Sequence, residues 1–176
     1  TEEALDLSVN GQLNLVHDSK GTNTENVDLK LEFAGPTTHA ARSLLFEDVW
    51  EFGAITGTAD IRSSGSGDPG VENIVVQAIT ENSIEVALIG AIARFPLDLD
   101  KPNEGYELDV SMKASETKVM AAIFGAQLPL PGPLDITYKI AGDTNALQLN
   151  DIILDAGEKS GVHLDVKGQL LFRDWA

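Results

Sequence analysis

Residues 162–170 read VHLDVKGQL, with Val162, Leu164 and Val166 on one phase and mostly polar side chains on the other. A period of two with one apolar phase is the pattern of a β-strand that shelters a single face. Gly168 stands where the next large apolar side chain belongs. The same arrangement occurs in LDLSVNGQL (5–13), where Leu7 and Val9 precede Gly11, and in IEVALIGAI (84–92), where Val86 and Leu88 precede Gly90. The three glycines are spaced by 79 and 78 residues. A glycine on the inward phase lets a sheet curl or a neighbouring backbone come close.

The register extends beyond the glycines. Leu29, Leu31 and Phe33 lie 79 residues before Leu108, Val110 and Met112, and Ile55 and Ile61 lie 79 before Leu134 and Ile140. Ile74, Val76 and Ala78 lie 78 before Ile152, Leu154 and Ala156. Self-similarity at a fixed period marks a repeat architecture. The expected organisation is the final strand of a preceding repeat (1–16), one repeat unit (17–95) and a second (96–176), joined in one continuous sheet. Thr1 is not a methionine and no basic leader precedes it, so the chain reads as a piece of a longer protein.

Each unit opens with an alternating strand (27–34; 106–113). A stretch of helical spacing follows, with Ala40, Ala41, Leu44 and Leu45 in 36–49, and Val119, Met120, Ile123 and Phe124 in 114–128. Ser115 or Thr117 is suited to cap the second helix. Three further strands complete each unit: 55–63, 71–79 and 84–95 in the first, 134–141, 147–156 and 162–172 in the second. The connections carry Gly, Asp, Asn and Ser, the residues that hairpins need. Within 147–156, Leu147 and Leu149 keep one phase while Ile152 and Leu154 are one residue out. That slip predicts a β-bulge at Asn150–Asp151. The expected fold is mainly β with short helices: a curved antiparallel sheet forming an elongated, taco-like groove, with about four strands and one helix per unit.

Composition narrows the function. Twelve basic against 28 acidic residues give a formal net charge of −16, which disfavours nucleic acid and anionic membrane surfaces as partners. There is no cysteine, so thiolate catalysis and disulfides are excluded. The three histidines, His17, His39 and His163, lack metal-binding spacing, and no serine sits in a nucleophile elbow. Asp135, Asp155 and Asp165 fall on polar strand phases, where charge is ordinarily solvated. LDLDKPNEG (97–105) offers Asp98, Asp100 and Glu104 to a cation without the spacing of a calcium loop. The sequence therefore predicts no enzyme, no cofactor and no metal.

The informative feature is the apolar phase itself. Two readings stand: a closed core covered by the helices or by a second sheet, or a face left partly open because one helix of about ten residues cannot cover four strands. Contiguous open apolar surface ordinarily serves a ligand or partner. Strands of eight to ten residues would give such a trough a width of roughly 25–33 Å.

Residues 125–172 resemble the repeating segment of the AsmA-like family. Leu128, Pro129, Gly132 and Pro133 match its Leu-Pro-x-x-Gly-Pro element, and Gly142 and Asp143 match its Gly-Asp turn. Leu147, Leu149, Asp151, Ile152, Leu154 and Gly157 match its LxLxDIxLxxG element, and Gly168 and Leu170 the closing xGxL. The first unit keeps Gly53 and a Gly–Asp turn but lacks the Leu-Pro pair. The resemblance implies a Gram-negative envelope protein of the AsmA and TamB kind, anchored to the inner membrane by a segment not in this chain and reaching across the periplasm. It implies a β-groove that moves phospholipid between membranes and supports outer-membrane assembly. The implied partners are phospholipid or another lipid, and outer-membrane assembly proteins. The groove lining then comprises Leu7, Val9, Leu29, Leu31, Phe33, Ile55, Ile61, Val76, Val86, Leu88, Leu108, Val110, Met112, Leu134, Ile136, Tyr138, Ile140, Leu154, Val162, Leu164, Val166 and Leu170. The competing expectation is a non-catalytic structural or protein-binding β module of the envelope with a closed core. A repeat array cut at both ends also predicts edge-to-edge self-association.

Overall fold

Alternation of apolar and polar residues produces strands throughout. The structure, a computed structural model, describes residues 5–18, 21–36, 53–64, 68–79, 84–94, 104–117, 132–143, 146–158 and 163–173. These form nine strands: β1 (Asp6–Asp18), β2 (Gly21–Gly35), β3 (Ile55–Ser64), β4 (Gly70–Ile79), β5 (Glu85–Arg94), β6 (Glu104–Ala114), β7 (Leu134–Gly142), β8 (Ala146–Gly157) and β9 (His163–Arg173). All nine lie in one antiparallel sheet in chain order, each paired with its neighbours in sequence, and β1 and β9 are its two edges. The sheet is open: its ends do not pair with each other.

Seven of the nine strands are legible from period two within a residue or two at each end. The exception is the β1–β2 hairpin, which runs to Asp18 and resumes at Gly21. Its outer arms, NLVHD and GTNTEN, carry little alternation to announce them. The expected helices at 36–49 and 114–128 lie almost wholly outside the described residues, and Ala114, expected to open the second, instead closes β6.

The predicted bulge is present. Asp151 has φ of 51°, and the β7–β8 and β8–β9 ladders both shift register there. A second bulge lies at Asn73, with φ of 50°, where the β3–β4 and β4–β5 ladders shift. Its signal is the same phase slip, from Val71 to Ile74 and Val76. Asn and Asp tolerate the left-handed conformation better than other residues with a Cβ, which explains their presence at both sites.

Close backbone approach occurs at two of the recurring glycines. Gly11 has φ of 144° and Gly90 of 157°. A Cβ at either would collide with a backbone carbonyl of the following strand, Asp28 O at Gly11 and Glu107 O at Gly90. Gly168, in contrast, lies outside the positive-φ region and a Cβ there would meet nothing within 4 Å.

Packing is concentrated where β6 ends and β7 begins. Ile84, Met112, Ala114, Leu134 and Ala156 form a buried cluster, with Val86, Ile136, Leu154 and Leu164 against it. Backbone bonds fasten this end: Thr117 N–H donates to Gly132 O at 2.8 Å, and Gly157 N–H to Pro133 O at 2.9 Å. Full burial of a side chain such as Leu134 contributes about 1.5–3 kcal/mol.

Candidate functional site: the apolar face of the sheet

Residues directly opposed in a ladder share a face, so the registers assign every strand position. One row runs Val9, Leu31, Ala59. Another runs Val76, Leu88, Val110, Tyr138. Further rows place Met112, Ile136, Leu154 and Val166 together, and Leu108, Ile140, Leu149 and Leu170 together. By the same registers, every residue expected to line the groove lies on this one face, except Val162, which is outside the described residues. The face also takes in Leu13, Val27, Val71, Ile74, Ile92, Ile152 and Phe172, which the sequence pattern had offered without selecting.

Among the described residues, between Leu7 in β1 and Phe172 in β9, this face carries no charged side chain except at one rim. There Arg94 opposes Glu104, and its guanidinium reaches the Asp68 carboxylate at 2.8 Å. Nine strands at the usual spacing extend roughly 38 Å across the sheet. The opposite face is polar and ion-paired. Arg62 bonds Asp28 and Glu72, each at 3.4 Å, and lies 3.5 Å from Asp60; the bond to Asp28 and the field of Asp60 raise its pKa. Lys30 meets Glu32 at 2.7 Å, and that bond raises the ammonium pKa. The acidic positions Asp28, Asp109, Asp135 and Asp165 all lie on this polar side.

Cover differs along the apolar face. Ile55, Val110, Met112 and Leu134 are buried and serve as packing. Leu7, Val9 and Leu13 at one edge, and Val166, Leu170 and Phe172 at the other, are exposed, Val9 at 52% and Leu170 at 53%. The remaining lining residues are half-buried. Tyr138 belongs to this middle zone, and loss of water around its phenol pushes its pKa above the usual value of 10.0. No family model, curated protein or solved structure matches this chain.

A hollow of about 950 Å³ lies mainly over the polar face between β5 and β9. Ala87, Ser111 and Thr137 form its floor because small side chains there leave space, and Ile89, Ile153 and Lys167 stand around it. Ile89 and Ile153, like Ile79 and Leu171, are exposed apolar residues on this mainly polar face. Sequence reading missed them because each occupies the outward phase, where apolar side chains carry no periodic signal. His163 approaches Asp155 at 3.5 Å on the same side. Asp98 and Asp100, weighed as cation donors, lie outside the described residues, and among those described no cluster of three metal-binding side chains occurs.

Proposed function

We propose that this chain is a lipid-holding segment of the AsmA-like kind: a two-unit β-repeat whose apolar face carries acyl chains between the inner and outer membranes, without catalysis. One observation carries the reading. An apolar face runs across nine strands and, among the described residues, is charged only at the Arg94–Glu104 rim, while the reverse face is ion-paired and wet. Acyl chains require lining without polar partners, and a segment bathed in periplasm requires a charged exterior. The width of roughly 38 Å is ample for an acyl chain lying across the strands. Curvature of the sheet into a groove, the periplasmic location and the inner-membrane anchor belong to this proposal.

The tandem-repeat component has its own support. Gly11 and Gly90 share a conformation and a backbone neighbour at a spacing of 79, and the bulges at Asn73 and Asp151 recur at 78.

The test is lipid capture. A photo-crosslinking residue placed at Val9 or Val166, both exposed on the apolar face, is expected to trap phospholipid from the cell envelope. The same probe at Asp28 or Lys167 on the polar face is expected to trap none. Equal labelling of both faces, or no lipid at either, overturns the reading. A second reading, a protein-binding module of the envelope, draws on the hollow with Ile89 and Ile153; cross-links from Ile89 to protein, with no lipid at Val9, would favour it.

A further inference from the structure

Among the described residues, charge on the apolar face is confined to one place, and that place is on the central strand of the sheet. Val86, Leu88, Gly90 and Ile92 of β5 share this face, and Arg94 is the next residue of the same phase. One step inward runs an uncharged row of Leu29, Ile61, Val71, Ile92 and Tyr106. The Arg94 guanidinium donates from Nε and from Nη2 to a single oxygen, Asp68 Oδ2, at 2.9 and 2.8 Å. Held at two nitrogens, the planar fork has a fixed direction. The side chain of Arg94 is nonetheless 46% exposed, so a cation stands at the border between apolar lining and water.

A second polar group occupies the same border. Ser63 continues the phase of Ile61 in β3 and opposes Val27. Its Oγ is buried and has no hydrogen-bond partner among the described residues. Gly70 pairs with Arg62 and lies against the Ala93 carbonyl. Ser63 and Arg94, each one residue further out, therefore flank the entry to β4 at two strand spacings, roughly 10 Å. A hydroxyl removed from water without an acceptor is costly, and an oxygen brought to this border would satisfy it.

We propose that this border is the head-group site of the lipid-holding face, and that it takes a zwitterionic phospholipid. The phosphate lies on Arg94, an ester or phosphate oxygen accepts from Ser63, and the acyl chains continue inward over Ile61, Val71 and Ile92. Both Arg94 bonds end on Oδ2 of Asp68, and Oδ1 accepts the ammonium of the head group. Charge decides the class. Arg94 and Asp68 together are neutral, so a head group carrying both signs meets each with its opposite. A head group with phosphate alone adds an anion beside Asp68, on a chain of net charge −16, and is disfavoured.

The inference rests on the lipid reading, and the experiment separates the two. The whole chain is incubated with vesicles of phosphatidylethanolamine and phosphatidylglycerol, equimolar and with identical acyl chains. It is then separated from the vesicles by flotation, and its bound lipid is counted by mass spectrometry. The unaltered chain should enrich phosphatidylethanolamine by roughly fivefold or more. Asp68→Asn should bring the ratio to about one with lipid still bound, and Arg94→Gln should lower the phosphatidylethanolamine bound by about fivefold. A lipid head group is told from free phosphate by the Arg94 Nε–H resonance of the unaltered chain. Dihexanoyl phosphatidylethanolamine should shift it at concentrations where inorganic phosphate does not. Equal binding of the two lipids overturns the head-group site and leaves the lipid reading standing, whereas binding of neither overturns both. An equal or stronger response to inorganic phosphate also overturns the head-group site, as does an unchanged ratio in both folded variants. The lipid ratio and the titration are read on the unaltered chain, so they decide the matter whatever the variants do to folding.

Discussion

The Asn73 side-chain amide donates to the Asp60 carboxylate at 2.7 Å. Asn73 is the bulge residue of β4, and Asp60 lies on the adjacent strand. At the other bulge the polarity is reversed: the Asp151 carboxylate accepts from Lys139 at 3.3 Å. Asp60 and Lys139 are 79 residues apart, so a donor–acceptor pair is kept while its chemistry is exchanged. Both pairs are at the surface, and conformation rather than charge should dominate. Asp151→Gly is expected to be nearly neutral in urea denaturation, whereas Asp151→Val should cost about 1–2 kcal/mol because a β-branched residue is disfavoured at positive φ.

The glycines give a sharper contrast. Gly90→Ala must relieve both a positive φ and a collision with the Glu107 carbonyl, and a loss of about 2 kcal/mol or more is expected. Gly168→Ala meets open space and should stay within roughly 0.5 kcal/mol of the parent. Equal denaturation midpoints for the two variants would contradict the geometry.

Burial should divide the apolar face into two energetic classes. Leu134→Ala removes a side chain that is 2% exposed and should cost about 2–5 kcal/mol. Leu170→Ala, on the same face at 53% exposure, should cost well under about 1 kcal/mol while reducing lipid capture. Chemical denaturation of both, beside the cross-linking assay, separates packing from binding.

Tyr138 makes a pH prediction. Burial raises its pKa in the folded chain above 10.0, so above pH 10 the unfolded state loses the phenolic proton first. Stability must then fall as pH rises through that range. Tyr138→Phe should flatten this alkaline decline, which thermal melts across the range would detect.

Which face each side chain takes was written in the sequence, since period two needs only local information. Val9, Leu31 and Leu108 could be assigned to one face from alternation alone, and the bulge at Asp151 from a one-residue slip. The twin bulge at Asn73 carried the same slip from Val71 to Ile74, although the short spacing between them hid it. What alternation could not convey was cover. Leu134 and Leu170 occupy equivalent phases, yet one is buried between Ala114 and Ala156 on the adjacent strands and the other is exposed. That difference follows each strand's place in the sheet, interior for β7 and edge for β9, information that no single strand contains. The exposed Ile89 and Ile153 were invisible for a related reason: an apolar residue on the outward phase breaks the period without signalling a purpose.

The chain-order arrangement of the sheet has a kinetic consequence. Each strand's main contacts are with its immediate neighbours in the polypeptide, so no distant ends must meet before the structure gains stability. Closure entropy is thus spent one hairpin at a time. Assembly can begin at any hairpin and spread in both directions, as in linear repeat proteins. Disruption in the middle, at β5 for example, should leave the two flanks to form independently rather than abolish order throughout.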